Sequence, residues 1–257
     1  MPRLFAFVCP WIDERVARDP ASEVRLLSLL VQPGDTVCDI GANRGLFTYW
    51  LLKAGAQVLA FEPNPRLARV LRLRFPAEIA AGRLRLFETA LGSGSGEALL
   101  HIPHDMSPLA TIDGNLAHDM GGPVERVRVA LTRLDAAVDS AVSFIKLDVE
   151  GYETEVLDGA ASILRTSRPT LLVEAEERHR PGAVAALVRR LEPLGYEGFF
   201  RLDGVMAPMS AFDPAAHQAV EALVPDGSRP RRGALYVNNF YFANRPEIIA
   251  RLKRWTA

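Results

Sequence analysis

The stretch Thr36-Val-Cys-Asp-Ile-Gly-Ala-Asn-Arg-Gly-Leu-Phe-Thr48 constrains this chain more than any other. Val37, Cys38 and Ile40 read as a short strand, apolar enough to be buried on both faces. Gly41 and Gly45 punctuate a turn, and Leu46, Phe47, Trp50 and Leu51 then fall at helical spacing. A strand, a glycine turn and a helix N-terminus together make a place where backbone comes close to a ligand. Asp39 stands near the carboxyl end of the strand, where open α/β sheets hold their ligands.

The residue types in the turn narrow the ligand. A dinucleotide site shows G-x-G-x-x-G, whose glycines let the chain approach a pyrophosphate. Here the order is Asp-x-Gly-x-Asn-x-Gly, and Asn43 and Arg44 replace the middle of that cradle. A carboxylate at Asp39 suits a cationic, amino-bearing ligand without phosphate. S-adenosylmethionine, with its ammonium and sulfonium, is such a ligand, whereas a tight βα connection with no ligand would use the same glycines. The second signal is Gln57-Val-Leu-Ala-Phe-Glu62, a strand ending in an acid roughly 20 residues beyond the first glycine, where ribose hydroxyls are taken. Ionised Glu62 accepts only, so it can serve two hydroxyls. A nicotinamide site would show the same acid, and a solvated strand end is the plainer reading.

Composition sets outer bounds. The 257 residues suffice for one large α/β domain. Apolar and charged contents of 49% and 24% are ordinary for a globular chain. A formal net charge of −1 argues against general binding to nucleic acid or anionic membranes. Cys9 and Cys38 show neither metal nor redox spacing, which points to a reduced, cytoplasmic protein. Residues 1–11 are apolar but too short to span a bilayer and carry no cleavage signal.

Taken in order, the chain predicts a helical cap segment over 1–33 and one domain over 34–257, with insertions at 98–131 and 203–234. Pro10-Trp11 and Asp19-Pro20 break any regular pattern in the first 21 residues, and Ser22 is placed to cap a helix carrying Leu26, Leu27 and Leu30. Further core strands are expected at 83–92, 143–151, 169–174, 195–202 and 235–242, with extra strands at 98–102 and 124–131. Helices are expected at 66–75, 155–164, 183–194 and 246–255. Arg66, Arg69 and Arg72 share one helix face, either an anion patch or a solvated surface. The 103–123 loop is long enough to be functional. His101 and His104 have a metal-like spacing, but Pro103 prevents a helix and no further ligands cluster nearby, so no metal is expected there. The richest acid cluster is Asp148, Glu150 and Glu153, followed after the next strand by Glu174, Glu176, Glu177 and His179.

The ordered set of motifs resembles the FkbM-like family of S-adenosylmethionine-dependent methyltransferases. It consists of Asp39-Ile-Gly-Ala-Asn-Arg-Gly45, Phe61-Glu-Pro-Asn-Pro65, Ala90-Leu-Gly92, Phe144-Ile-Lys-Leu-Asp-Val-Glu-Gly151 with Glu155-Val-Leu-Asp-Gly-Ala160, and Pro169-Thr-Leu-Leu-Val-Glu174. The resemblance implies a class I methyltransferase fold: an α/β, Rossmann-like, seven-stranded, mostly parallel sheet with helices on both faces. It also implies O-methylation of a natural product or sugar, hence a small-molecule or glycan hydroxyl as acceptor. By the same resemblance, Asp39, Gly41, Asn43 and Gly45 would hold the methionine part of the cofactor. Glu62 would take the ribose with help from Asn64, Ala90 and Leu91 would lie near adenine, and Asp148 near the transferred methyl.

Methyl transfer to oxygen calls for positioning and for a general base. Asp148 is the first choice, followed by Glu150, Glu174 and His179. The same acids could hold a divalent cation for a diol acceptor, and Glu150 and Glu153 could simply favour a helix N-terminus. Two other readings compete: a nicotinamide-dependent oxidoreductase, disfavoured by the missing G-x-G-x-x-G, and a non-catalytic protein that binds S-adenosylmethionine or a partner.

Overall fold

The computed structural model describes residues 2–19, 22–103, 110–112, 123–225, 227 and 229–256. In chain order the strands are β1 Thr36–Ile40, β2 Gln57–Phe61, β3 Leu84–Phe87, β4 Thr89–Leu91, β5 Gly96–Pro103, β6 Val124–Thr132, β7 Phe144–Leu147, β8 Thr170–Glu174, β9 Glu197–Leu202, β10 Val205–Pro208 and β11 Asn239–Ala243. Among the described residues, the main sheet has eight strands in the order β10-β9-β11-β8-β7-β1-β2-β3. The five strands from β3 to β8 pair in parallel, and β11 runs antiparallel between β8 and β9. The order reverses between β1 and β7, which opens a crevice beyond the carboxyl ends of those two strands, where open sheets take ligands.

Hydrophobic burial explains why these segments are central strands. Val37, Cys38, Phe144, Leu147, Leu171 and Val173 have essentially no exposure. Two apolar layers result. One gathers Ile40, Ile145, Val156, Leu187 and Phe240, and the other Val37, Leu51, Leu71, Phe144 and Leu252. Helices such as Leu46–Lys53 and Pro246–Arg254 and the segment Glu153–Asp158 supply the outer faces. Among the described residues, no helix is long and apolar enough to cross a membrane.

The structure corrects the expected layout in six places. The main sheet gains an eighth strand, β10, because Asp203 and Gly204 both take positive φ and turn the chain back along β9. The expected strand over 83–92 is two strands, with β4 leaving the main sheet to pair with β6 beside β5. The last strand starts at Asn239 rather than Leu235, whose side chain is exposed.

At the N-terminus, a helix Pro2–Val16 forms with Pro10 inside it. An interior proline costs about 3 kcal/mol, and tertiary contacts offset it: Asp13 pairs with Arg74, and Glu14 accepts from Tyr49 at 2.8 Å. After Ser22 the chain makes a short 3-10 turn, Glu23–Leu26, before the helix Leu27–Leu30, and the Ser22 side chain caps neither. The expected helix over 155–164 is two segments, Glu153–Asp158 and Ala161–Thr166, interrupted at Gly159.

Gly159 shows why the interruption is there. A Cβ at this position would sit 2.0 Å from the Gly92 carbonyl oxygen, so only glycine allows the helical segment to lie against the end of β4. A Gly159→Ala variant is therefore expected to lose about 1–3 kcal/mol, the usual cost of forcing atoms into a packed site. Urea unfolding with an unchanged midpoint would show that this close approach is not required.

Candidate active site

The glycine turn after β1 is held by its own backbone. The amides of Gly41 and Ala42 both donate to the Phe61 carbonyl, at 3.0 and 3.1 Å, and the Asn43 amide donates to the Glu62 carboxylate at 2.7 Å. Three amides that would cradle a phosphate in a dinucleotide site thus have partners at the end of β2. Gly41, Asn43 and Gly45 all take positive φ. At Gly41 glycine is required twice over, since a Cβ there would lie 1.8 Å from the Asp148 carbonyl oxygen. The turn and the end of β7 therefore touch, which brings the first and third acidic strand ends together.

Between them lies Lys146, in the middle of β7 and buried. Its ammonium donates to the Gly41 carbonyl at 3.1 Å and to Asp148 at 2.9 Å, and lies 5.2 Å from the centre of the Phe47 ring. Burial alone would pull this ammonium down, but Asp148 and then Asp39 outweigh it and hold it above its usual value. Asp39 has no exposure. Burial pushes its carboxyl up, against Lys146 and a 2.6 Å hydrogen bond from Thr48. Lys146 is the functional residue that sequence reasoning passed over. Its signal was a lone cation in an otherwise apolar strand, two residues before Asp148.

A narrow cleft of about 50 Å³ opens over these elements. Gly41, Asn43 and Glu62 line one side, Ala90 and Leu91 with Leu67 and Leu100 line an apolar slot, and Asp148 and Glu150 line the far wall. Seven of the sequence-derived candidates thus share one cleft. Asp39, Gly45, Asn64, Glu174 and His179 do not line it. Gly45 starts the helix Leu46–Lys53. Asn64 is buried and its Oδ1 accepts from the Arg66 amide at 3.0 Å, so it acts as a helix cap. Glu62 takes one backbone amide on each oxygen, Asn43 on one and Asn64 on the other. Its burial outweighs those bonds and pushes the carboxyl up to about 7.

The second acid set is buried around the ends of β7 and β8. Burial first, then Asp148, push both Glu150 and Glu174 well above the usual carboxylate range. Glu174 accepts from the Asn238 side chain at 2.6 Å. Glu153 turns back onto the Gly151 amide at 2.9 Å, and burial pushes it to about 7. His179 Nδ1 lies 3.3 Å from Glu150, and burial keeps the imidazole below its usual value, so the contact is not that of a charged pair at neutral pH. Glu176 behaves differently: Arg178 at 2.5 Å and the Tyr236 hydroxyl overcome its burial and hold it ionised.

Outside the cleft, Arg66 pairs with Glu125 at 2.8 Å and Arg72 with Glu88, so two of the three arginines on that helix face are already neutralised. His104 of the expected histidine pair and much of the 103–123 loop lie outside the described residues. Among the described residues there is no group of three or more His, Cys, Asp or Glu arranged to hold a metal.

Residues 39–197, from the β1 carboxylate to the start of β9, match the family described as Methyltransferase FkbM domain. The chain belongs to that family. FkbM-domain proteins are S-adenosylmethionine-dependent methyltransferases, in keeping with a cleft whose turn amides are closed to a diphosphate. The chain is 28% identical over 152 residues to the hexuronic acid methyltransferase AglP of Haloferax volcanii, covering 59% of this chain and 61% of that protein. It is 31% identical over 166 residues to the ribosomal RNA small subunit methyltransferase A of Caulobacter vibrioides, covering 63% of this chain and 62% of that protein. It spans about two-fifths to three-fifths of the length of the first curated relatives it matches. The solved methyltransferase FkbM of Methylobacillus flagellatus KT superposes with a TM-score of 0.54 at 18% identity, over 82% of this chain and 44% of that one, a likeness of fold.

Glu62 links this site to pH. Its carboxyl binds a proton more tightly in the folded chain than in the unfolded one. The stability it contributes is therefore complete below the ordinary carboxylate value and is lost as pH rises through about 7. Ribose hydroxyls donate to the ionised form, so S-adenosylhomocysteine affinity is expected to increase between about pH 6 and about pH 8, with proton release on binding. Titration calorimetry in buffers of different ionisation enthalpy checks this. The same pH slope in a Glu62→Gln variant would remove Glu62 from the ligand site.

Proposed function

We propose that the chain transfers the methyl group of S-adenosylmethionine to a hydroxyl oxygen on a small molecule or sugar. The observation that carries this reading is one cleft lined by Glu62 and Asp148, with Asp39 buried on the strand between theirs and Lys146 beside it. The residues fit such a ligand: Asp39 Oδ1 is buried with no hydrogen-bond partner among the described residues, an acceptor of the kind an amino group satisfies. Gly41, Asn43 and Asp39 would hold the methionine part, Glu62 the ribose, and the slot of Ala90 and Leu91 the adenine. When bound, the cofactor supplies a methyl on a sulfonium, which departs as a neutral thioether as the acceptor oxygen takes the methyl.

The chain's own groups then divide the remaining work. Asp148 is held in place by the Lys146 ammonium at 2.9 Å. It serves as a fixed negative charge facing a cation. The hydroxyl proton goes instead to Glu174, whose burial beside Asp148 and Glu150 makes its carboxylate a stronger base. Glu150 and His179 support that acid cluster. A hydroxyl acceptor is favoured over RNA by the near-neutral chain, and the hexuronic acid methyltransferase supports a sugar; the ribosomal RNA relatives support the second reading.

Transfer of labelled methyl from S-adenosylmethionine to extracted glycans and small molecules, with RNA alongside, tests this. Glu174→Gln is expected to lower turnover by about 10²–10⁴-fold, the range for general base catalysis, with S-adenosylhomocysteine affinity unchanged. Asp148→Asn is expected to weaken S-adenosylmethionine more than S-adenosylhomocysteine, whose sulfur is neutral. Label appearing only in RNA, or full turnover in Glu174→Gln, would contradict the respective assignment.

A further inference from the structure

Glu174 lines a second cavity, of about 720 Å³, within the range of about 300–1,000 Å³ typical of small-molecule sites. Its walls come from the ends of β8 and β9 and from the segment that leads into β11. Almost all of this lies outside residues 39–197, the part the FkbM family has in common. Glu174 is the exception. It lines the cavity, while Asp148 and Glu150, whose charges act on it, line the cofactor cleft. A molecule seated here would meet the acid cluster at Glu174.

We propose that this cavity is the acceptor site and that it takes a hydroxyl-rich, sugar-like acceptor rather than a polyanion. The inference rests on the methyltransferase reading above. Three features support it. The first is a relay of amides: Asn239 Nδ2 donates to Asn238 Oδ1 at 3.0 Å, and Asn238 Nδ2 donates to Glu174 at 2.6 Å. Each amide keeps donors or lone pairs beyond those bonds, the mixed pattern that sugar hydroxyls match. The second is a pair of tyrosines. Tyr236 donates to Glu176 and keeps its oxygen lone pairs, and Tyr241 has a buried hydroxyl with no hydrogen-bond partner among the described residues. The third is charge. The described lining holds the carboxyl groups of Asp19, Glu23, Glu174 and Asp203 against the guanidinium groups of Arg201 and Arg231, so it has no net positive charge with which to neutralise a row of phosphates. Arg231 also donates to the Leu223 carbonyl at 2.7 Å, which anchors it in the wall.

NMR on the labelled full chain tests the proposal. The probes are methyl β-D-glucopyranoside and a single-stranded RNA oligonucleotide, and the side-chain amide signals of Asn239 are assigned by their loss in Asn239→Leu. The glucoside is expected to shift the Asn238 and Asn239 amides of the wild-type chain. Its affinity is expected to fall about tenfold in Asn239→Leu, as for the loss of one net hydrogen bond. Tyr241→Phe, which keeps the ring and its packing, is expected to weaken binding in the same direction. No glucoside shift at these amides, or RNA shifting them at lower concentration, overturns the assignment. S-adenosylhomocysteine is followed in the same spectra through the Gly41 and Asn43 amides, so failure of the cofactor reading is seen separately from failure at the cavity.

Discussion

One buried ammonium organises the carboxyl ends of the central strands of this fold. Lys146 stands in a strand whose neighbours Ile145 and Leu147 have almost no exposure, and its charge is tolerable there only because carboxylates surround it. It ties the Gly41 carbonyl of one strand end to the Asp148 carboxylate of the next. Removing one partner from such a buried pair costs roughly 3–5 kcal/mol, because the other charge is left uncompensated. The pair is thus weak evidence of net stability but strong evidence of fixed geometry. Whatever binds over β1 and β7 meets a carboxylate that cannot turn away.

Around that pair, packing and chemistry impose the same constraints. Gly41 has no room for a side chain because the Asp148 carbonyl occupies its place. The amides of the turn close onto Phe61 and Glu62, which makes the loop rigid and removes the donors that a diphosphate would need. Crowding many carboxyls into one buried region raises their proton affinities, and the fold sorts them by partner. Asp148 has Lys146, Glu176 has Arg178 and Tyr236, and Glu174 has only a neutral amide. Glu174, with no ion pair of its own among the described residues, is the member of the set that lines the second cavity.

Much of this could be read in the chain because the strands are short, apolar and end in acids. Asp39, Glu62, Asp148 and Glu174 fall at strand ends for the same reason that the preceding residues are buried, so pattern alone located them and the cleft. What the sequence hid was mostly tertiary. The helix with Pro10 inside depends on Arg74, Tyr49 and other partners far away in the chain. The division of the 83–92 segment between two sheets is decided by β6, about forty residues on. Asn64 reads as a ligand residue by position, yet its oxygen caps a helix. Lys146 was visible but counted as part of a strand, since only the structure shows that its ammonium points at the Asp148 carboxylate and the Gly41 carbonyl. The cavity beyond Glu174 was unreadable, because its walls come from segments without periodicity whose meeting no local pattern announces.

The central claim is that the carboxylate cleft over Gly41 is built for S-adenosylmethionine. Calorimetric titration of the purified chain with S-adenosylmethionine and S-adenosylhomocysteine, beside an Asp39→Ala variant whose folding is verified by circular dichroism, tests it most directly. Both ligands should bind the native chain at one site, and binding should be lost or severely weakened in the folded variant. Absence of binding to the native chain, with NAD bound instead, would contradict the account.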